Sequence, residues 1–398
     1  MKRHITILGG GYAGLLTALR LSRRSRAQLD IQLVSSSETF VERIRLHQLA
    51  VGSALRSLSL SRLLAGTGVR FVAAHIDGLD LARGELHAQR QRFAFDELVL
   101  AVGSRVDRSL VPGAREHAFS LDADAVPGLH ERLRAVVRDG GRVVVCGGGL
   151  SGIELAAELC DRWPGLSVTL LSRSVLGPDL SERARGYIRQ FLLQRGVRLH
   201  EEASVQRIER GAAWWTESDA TTPRRSAADV CIWAGGFVAS PLPRDAGLLV
   251  NGRAQVRVDA ALRSLSHPQL MVVGDAAALE GRAAGPLQLS CKVALPMAVH
   301  AGDNLARRQL KLPEAPFEFS DRGVCISLGR RAGVIDQRWP DARPREHTID
   351  GGRGALLKEV ICRYTMLRMH AERSGLWPLP PLQQPPLLNT SDQHPIAS

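Results

Sequence analysis

Residues 5–16 read Ile-Thr-Ile-Leu-Gly-Gly-Gly-Tyr-Ala-Gly-Leu-Leu, and this stretch decides the fold. A short apolar strand leads into a Gly-x-Gly-x-x-Gly turn that opens a helix. In a dinucleotide-binding fold, Gly9 makes the tight turn, Gly11 lets the backbone approach a pyrophosphate, and Gly14 lets helix and strand pack closely. Unpaired N–H groups at the helix start favour phosphate oxygens. The stretch therefore predicts a nucleotide site, and a glycine-rich turn in another kind of α/β protein is the alternative.

The chain repeats this unit in its second half. An apolar strand at residues 142–146 leads into Gly147, Gly149 and Gly152, and a helix and a strand at residues 168–171 follow. Two complete copies in one chain predict two bound dinucleotides. The economical pairing is a flavin cofactor with a nicotinamide cofactor.

A second pair of matching stretches supports the repeat. Residues 97–104 form an apolar run that ends in a turn at Gly103, and residues 229–236 form a similar run that ends at Gly235. In both halves the turn brings the chain back to the nucleotide, as expected for an internal duplication.

Composition limits the class of protein. At 398 residues, with 44% apolar and 23% charged residues, the chain is long enough for two or three globular domains. The net charge of +12 comes from arginines spread along the whole chain, with four lysines among the 52 basic residues, so we expect no nucleic-acid partner. Six cysteines without metal-like or redox spacing indicate free thiols in the cytoplasm. We expect no membrane-spanning helix and no metal.

Beyond the second unit the chain is expected to return to its first domain. A buried strand ends at Gly274 and Asp275, and a helix is expected over residues 286–306. Short strands at 317–319 and 323–329 and a helix at 356–373 follow. The predicted division is an FAD-type domain of residues 1–112 and 256–315, a nicotinamide domain of 113–255, a C-terminal region of 316–376, and a disordered tail of 377–398.

These ordered motifs resemble the two-dinucleotide-binding-domain flavoproteins. Within them the chain is similar to type II NADH dehydrogenases and to apoptosis-inducing-factor-like quinone reductases. The resemblance covers about residues 3–330 and implies an α/β fold with two Rossmann-like domains, for FAD and for NADPH or NADH, and a small α+β C-terminal region. It also implies an oxidoreductase that passes a hydride from the nicotinamide to FAD and then electrons to a quinone-like or other small acceptor.

The resemblance also implies roles for individual residues. The first glycine turn would hold the FAD diphosphate, Asp275 would hydrogen-bond the ribityl or phosphate part of FAD, and the second glycine turn would hold the nicotinamide dinucleotide. Glu154 matches a carboxylate that lies near flavin and nicotinamide in relatives, where it could orient the nicotinamide or relay a proton. The alternative for Glu154 is a first-turn acid that only complements the helix dipole.

Two departures from the family pattern bear on the acceptor. The chain has no Cys-x-x-Cys pair, which argues against dithiol chemistry, and the long C-terminal membrane anchor usual in type II NADH dehydrogenases is reduced to one helix and a tail. A ferredoxin or rubredoxin reductase, and a tailoring oxidoreductase of specialised metabolism, therefore stay open as alternatives. So does a flavin-bearing binding protein with only vestigial turnover. The oligomeric state is not predicted.

The loop of residues 42–47 and the C-terminal helix each allow two interpretations. Relatives place the loop beside the flavin, so Arg43, Arg45 or His47 could contact cofactor or substrate, or could be solvated. In the helix, apolar residues recur at helical spacing with basic residues around them. We expect this stripe to pack on the core, with peripheral docking on an anionic membrane as the alternative. The apolar stripe consists of Leu356, Val360, Tyr364, Leu367 and Ala371.

Serines replace an expected acid in both halves. The residue that ends the second strand of a dinucleotide fold normally carries a carboxylate for the ribose hydroxyls, but here it is Ser35 in the first half and Ser172 in the second. Arg173 follows Ser172 and could pair with the 2′-phosphate of NADPH. The pattern therefore favours NADPH over NADH; the alternative is that Arg173 points to solvent and the site accepts either cofactor.

Overall fold

The computed structural model describes residues 2–25, 28–55, 57–89, 91–218, 220–281, 287–339 and 342–375. The predicted tail, residues 377–398, lies outside the described residues, as does Pro286 at the start of one predicted helix.

The first hundred residues form an open parallel sheet with an antiparallel side sheet and three helices. In chain order the elements are β1 (Arg3–Leu8), α1 (Tyr12–Ser25), β2 (Leu29–Ser35), β3 (Thr39–Phe40), α2 (Leu46–Ala50), β4 (Leu58–Ser59), α3 (Leu60–Leu64), β5 (Arg70–Ala73), β6 (Gly78–Asp80), β7 (Glu85–Ala88), β8 (Gln91–Ala94), β9 (Glu97–Leu100) and β10 (Ser104–Val106). A 3₁₀ turn at Arg43–Arg45 precedes α2.

The middle of the chain repeats this arrangement. Its elements are α4 (Ala114–His117), β11 (Ala118–Ser120), α5 (Val126–Val137), β12 (Arg142–Cys146), α6 (Leu150–Arg162), β13 (Ser167–Leu171), α7 (Glu182–Gln194), β14 (Arg198–His200), β15 (Ala203–Glu209), β16 (Ala212–Glu217), β17 (Arg224–Ala227), β18 (Val230–Trp233), β19 (Phe237–Ala239) and α8 (Leu242–Asp245).

The last third returns to the first sheet and then adds a small separate sheet. Its elements are β20 (Val256–Val258), β21 (Leu270–Val272), β22 (Ala277–Leu279), α9 (Cys291–Gln309), β23 (Gly323–Leu328), β24 (Ala332–Arg338), β25 (Pro344–Ile349) and α10 (Gly351–Ser374).

Two five-stranded parallel sheets organise the molecule, in the orders β21-β9-β1-β2-β5 and β11-β18-β12-β13-β14. Their inner strands, such as Arg142–Cys146, are runs of β-branched and other apolar residues buried on both faces, as parallel sheets covered by helices require. Each sheet has its own apolar core. Because parallel strands share a direction, each glycine turn lies at the carboxyl edge of its sheet.

The C-terminal region is a three-stranded antiparallel sheet, β23-β24-β25, packed against α10. The predicted strand at 317–319 is wrong: these residues lie outside the strands of the structure, and Phe317 N–H donates to the loop carbonyl of Ala260 at 2.6 Å. The helix predicted from residue 286 begins at Cys291, after the extended residue Ser290.

Helix α10 buries a different face from the one we predicted. Its buried residues are mostly polar or small, and they are Gly354, Lys358, Cys362, Thr365, Met369 and Glu372. The predicted core stripe faces outward: Leu356, Val360, Tyr364 and Leu367 are 68%, 52%, 48% and 62% exposed. The prediction failed because buried ion pairs, together with Met369 in the apolar core, anchor the opposite face of the helix. Arg20 of α1, for example, donates to Glu372 at 2.8 Å with both side chains fully buried.

Candidate functional site

The first glycine turn has the shape of a phosphate cradle. A Cβ atom on Gly9, which has a φ of +120°, would lie 2.2 Å from the carbonyl oxygen of Ala101. A Cβ on Gly14 would lie 1.8 Å from the carbonyl oxygen of Gly9, so the closeness of helix and strand requires glycine there. A Cβ on Gly11 would meet no protein atom within 4 Å. The turn is thus closed on the protein side and open where a pyrophosphate would lie, so it fits a dinucleotide.

Four further predicted residues lie together at the same sheet edge. The Arg43 guanidinium donates to the carbonyl oxygen of Ser104 at 2.5 Å, next to Gly103, and the Ser104 hydroxyl donates to Asp275 Oδ2 at 2.7 Å. Gly274, with a φ of +69°, is so close to α1 that a Cβ would lie 3.0 Å from the Cβ of Ala13. The structure therefore brings a cation, a hydroxyl and a carboxylate together after β9, the strand whose end contacts the first glycine turn at Ala101.

The second glycine turn repeats this geometry almost atom for atom. A Cβ on Gly152 would lie 1.9 Å from the carbonyl oxygen of Gly147, and a Cβ on Gly147 would lie 2.8 Å from the nitrogen of Gly235. A Cβ on Gly149 would again meet nothing within 4 Å. The open direction of this turn also fits a diphosphate, now at the N-terminus of the 13-residue helix α6.

Both serines that replace the expected acid touch their glycine turns. A Cβ on Gly10 would lie 2.7 Å from the hydroxyl oxygen of Ser35, and one on Gly148 would lie 1.9 Å from that of Ser172. Both serines are buried at the ends of their strands. Arg173 is exposed, and within the described ranges no hydrogen bond or ion pair engages its guanidinium.

Glu154 lies in a buried cluster of polar groups on α6. Lys358 Nζ donates to Glu154 Oε1 at 3.0 Å, and the backbone N–H of Ser327 donates to the same oxygen at 2.9 Å. His47 Nδ1 lies 3.4 Å from Glu154 Oε2. Four separate elements, α2, α6, β23 and α10, thus meet at one carboxylate.

The protonation states of this cluster follow from burial and from its charges. Burial raises the pKa of Glu154, but the nearby Lys358 cation, with the hydrogen bond from the Ser327 N–H, holds it below its usual value. Burial lowers the pKa of Lys358, but the Glu154 carboxylate more than offsets this and raises it. Burial lowers the pKa of His47 to about 4, so its imidazole is neutral at physiological pH. The cluster therefore holds one negative and one positive charge.

Sequence reasoning placed Lys358 on the basic rim of the helix and missed its role as the partner of Glu154. One signal was available, because the chain has four lysines, Lys2, Lys292, Lys311 and Lys358, among 52 basic residues. Two of these, Lys292 and Lys358, form buried or largely buried ion pairs, with Asp321 at 2.7 Å and Glu154 at 3.0 Å. A lysine retained in an arginine-rich chain indicates a place where a compact ammonium is needed.

The loop of residues 42–47 directs its three basic side chains to different partners. Arg43 donates to the Ser104 carbonyl beside Gly103, as described above. Arg45 donates to both carboxylate oxygens of Glu359 on α10, at 2.8 and 3.1 Å. His47 faces Glu154. None of the three is a solvated surface residue.

Two parallel sheets, each with a glycine turn open to a diphosphate, define an oxidoreductase fold that binds two dinucleotides. The chain belongs to the pyridine nucleotide-disulphide oxidoreductase family, which matches residues 3–303. This membership confirms the predicted fold class and the prediction of an FAD-dependent NAD(P)H oxidoreductase. Over the part of the chain that the structure describes, no helix is both long and apolar enough to cross a bilayer.

Several known proteins are similar to this chain. An NADH dehydrogenase-like protein of Mycobacterium tuberculosis is 28% identical over 360 residues, which cover 84% of this chain and 88% of that protein. Demethylphylloquinone reductase NdbB of Synechocystis is 28% identical over 363 residues, covering 84% and 86%. The structure of NDH2 from Plasmodium falciparum in complex with NADH shares the fold, with a TM-score of 0.78 at 13% identity, covering 94% and 98%.

Proposed function

We propose that this enzyme is an NAD(P)H:quinone oxidoreductase. The observation that carries the proposal is the buried Glu154–Lys358 pair, which fixes a carboxylate and a protonated amine beside the second dinucleotide turn. The named activity of the similar demethylphylloquinone reductase supports a quinone as acceptor. The absence of a Cys-x-x-Cys pair supports direct transfer from the flavin.

The site assignments form part of this proposal. The first glycine turn would hold the FAD diphosphate, with Ser35, Arg43, Gly103, Gly274 and Asp275 around it, and the second would hold the nicotinamide dinucleotide, with Ser172, Arg173 and Gly235. The domain boundaries predicted above also stay a proposal. They are consistent with β21 (Leu270–Val272), which pairs with β9 in the first sheet although some 170 residues separate the two strands.

FAD supplies the chemistry of a two-electron carrier between nicotinamide and acceptor. The chain's own part is to orient the reactants and to handle protons. Glu154 stays ionised and Lys358 stays protonated, so the carboxylate can accept a hydrogen bond from the nicotinamide amide or relay a proton to the acceptor. Because both groups are buried, water is largely excluded from them and their electrostatic effect is strong.

The acceptor is tested by anaerobic reduction of the purified enzyme, followed by reoxidation. We expect NAD(P)H to bleach the flavin and menadione to restore its colour faster than a disulfide such as oxidised glutathione does. The reason is that the chain has no Cys-x-x-Cys pair that could carry out dithiol exchange with the disulfide. Efficient disulfide reduction, or faster reoxidation by a ferredoxin than by menadione, would overturn the assignment.

NADPH is expected to be the better hydride donor. The exposed Arg173 guanidinium has no partner among the described residues, and the acid that would repel a 2′-phosphate is replaced by Ser172. A charge-assisted hydrogen bond contributes about 1.5–3 kcal/mol, so Arg173→Ala should lower kcat/KM for NADPH at least tenfold and spare NADH. Arg162→Ala, which alters an arginine at the far end of α6, serves as the control. Equal losses for both cofactors, or a wild type that prefers NADH, would contradict the prediction.

We further propose that α10 docks on an anionic membrane surface, where a lipid-soluble quinone would be available. Its outward stripe of Leu356, Val360, Tyr364 and Leu367 is apolar over three turns, and Arg363 lies exposed beside it. Apolar side chains flanked by arginines are typical of helices that lie in the interface of an anionic bilayer. The ion pairs of the opposite face hold the helix on the protein, so the stripe is presented as a rigid surface.

Vesicle cosedimentation tests this docking. The double variant Leu356→Glu/Leu367→Glu should lose binding to phosphatidylglycerol vesicles while its flavin content stays at the wild-type level. Leu193→Glu is the matched control, because Leu193 on α7 is also half-exposed but lies outside the stripe. Wild-type protein that stays in the supernatant at low salt would exclude membrane docking by this helix.

A further inference from the structure

A second buried carboxylate, Glu158, lies one helical turn beyond Glu154 on α6. Its side chain is 2% exposed, and within the described ranges no group hydrogen-bonds Glu158 Oε1. Its nearest cation is Arg330, whose Nε lies 3.8 Å from Glu158 Oε2, too far for a hydrogen bond. Glu154 has a cation within hydrogen-bond distance, whereas the ion pair of Glu158 with Arg330 is longer and includes no hydrogen bond. A buried carboxylate that is weakly paired is costly when ionised.

The surroundings of Glu158 make it titratable. Arg330, in the turn after β23, faces Glu158. Along α6, the charged neighbours of Glu158 are the carboxylates of Glu154 and Asp161. Helix α2, which carries His47, also packs against α6. Burial and the two carboxylates raise the pKa of Glu158 to about 7, and the Arg330 cation only partly opposes this. The pKa of Glu158 therefore lies much closer to neutral pH than that of Glu154 or Lys358, whose charges are fixed there.

The cation nearest to Glu158, Arg330, is half-exposed. Its side chain is 46% exposed, and it donates to the Ser53 hydroxyl at 2.5 Å on one side while its backbone N–H donates to Asp161 Oδ2 at 3.1 Å on the other. Glu158 thus lies between a half-exposed cation, 3.8 Å away, and Glu154, one turn earlier on the same helix. Side chains at i and i+4 of a helix have Cβ atoms about 5–6 Å apart.

The stoichiometry of the proposed reaction requires one proton from solvent. The overall change, NAD(P)H + H⁺ + quinone → NAD(P)⁺ + quinol, moves two electrons and one hydrogen as hydride and takes one further proton from water. Since Glu154 and Lys358 hold their charges through neutral pH, neither is a store for that proton on its own. The proton has to reach the buried cluster from outside at each turnover.

We propose that Glu158 is the group that loads this proton from solvent and passes it along α6 to Glu154. In the step, the O–H bond of the Glu158 carboxylic acid breaks and a proton binds the Glu154 carboxylate, either directly or through one water. Glu154 then gives the proton to the quinone oxygen, and the Glu158 carboxylate takes a new proton from water beside Arg330. Glu158 acts through Glu154, so it is a positioning residue that touches no substrate, and this inference rests on the proposed function.

The test separates the two half-reactions by stopped flow from pH 5.5 to 9. In the wild type, reoxidation by menadione should slow as the pH rises through about 7, because Glu158 loses its proton there. In Glu158→Gln, reoxidation should be at least tenfold slower below pH 7 and should lose this pH dependence. Flavin reduction by NAD(P)H should be unchanged, since hydride transfer takes no proton from this route.

Two further variants and a spectrum make the test specific. Arg330→Met should raise the pH at which reoxidation slows, because the lost cation had favoured ionisation of Glu158. Glu131→Gln, which alters an exposed carboxylate on α5, should leave that pH unchanged. Infrared difference spectra between pH 5.5 and 8.5 should show a buried carboxylic acid band that Glu158→Gln lacks. If the reoxidation rate of Glu158→Gln depends on pH as in the wild type, or if the wild type shows no such infrared band, this inference is overturned. A wild type that menadione does not reoxidise at any pH overturns the proposed function instead.

Discussion

Replacing Gly11 by valine is expected to give a folded protein that binds no FAD. In the protein alone a Cβ at Gly11 meets no atom within 4 Å, so the fold has room for the new side chain. That same space is where the pyrophosphate of a bound dinucleotide would lie, and a branched side chain fills it. The measurement is the ratio of flavin to protein absorbance after purification, together with the thermal unfolding of the apoprotein.

The repeat supplies the control for this experiment. Gly149→Val changes the equivalent residue of the second turn, which is equally open, so this variant should keep its flavin and lose reduction by NAD(P)H. Gly14→Val should fail to fold, because its Cβ would lie 1.8 Å from the Gly9 carbonyl oxygen. Full flavin content in Gly11→Val, or loss of flavin in Gly149→Val alone, would show that the two sites are assigned wrongly.

Lys358→Met is expected to destabilise the protein strongly. Methionine keeps the length of the side chain but leaves the buried Glu154 carboxylate without its counter-charge, and removal of one partner of a buried pair costs about 3–5 kcal/mol of unfolding free energy. The double variant Lys358→Met/Glu154→Gln removes both charges and should regain most of this loss. Urea unfolding of the wild type, of the single variants Lys358→Met and Glu154→Gln, and of the double variant gives the coupling between the two residues directly.

The pH dependence gives an independent check. The pKa of Glu154 is lowered, so its contribution to stability is present above its ordinary value of 4.5 and is lost as the pH falls through the folded-state pKa. The pKa of Lys358 is raised, so its contribution is complete below its ordinary value of 10.5 and is lost only at higher pH. The pair should therefore contribute a constant stability through neutral pH.

In Lys358→Met the contribution of Glu154 to stability depends on pH in the opposite direction. Burial then dominates at Glu154 and raises its pKa, so the stability of the variant should fall as the pH rises above 4.5. The destabilisation relative to the wild type should accordingly be larger at pH 8 than at pH 5. A destabilisation below about 1 kcal/mol at pH 8 would place Glu154 in contact with solvent, contrary to the structure.

Local sequence was enough to predict the two sheets and their turns. Glycine is required wherever a backbone atom would lie within 3 Å of a Cβ. This constraint applies at Gly9, Gly14, Gly147 and Gly152, so the spacing of the glycines was enough to predict their role. The return of residues 270–275 to the first sheet could also be predicted, because a short apolar run that ends in Gly-Asp is typical of a strand that leads back to the nucleotide in such a fold.

The partners of the buried charges could not be read in this way. Glu154 and Lys358 are 204 residues apart, and nothing near either residue indicates the other. In α10 the apolar pattern predicted the wrong face, because the helix is held by Lys358, Glu359 and Glu372 through ion pairs to three distant segments. Apolar periodicity in a sequence shows which face of a helix is apolar. A face that is anchored by ion pairs produces no apolar periodicity.

The late position of β21 in the chain sets the order in which the protein can form during synthesis. All strands of the second parallel sheet lie between Ala118 and Trp233, so that sheet can be complete while the ribosome is still adding later residues. The first sheet begins with the N-terminal strand but lacks its edge strand until residues 270–272 emerge. The half that is made first is therefore the half that finishes last, and its strand β9 has an unpaired edge for the time needed to translate some 170 residues.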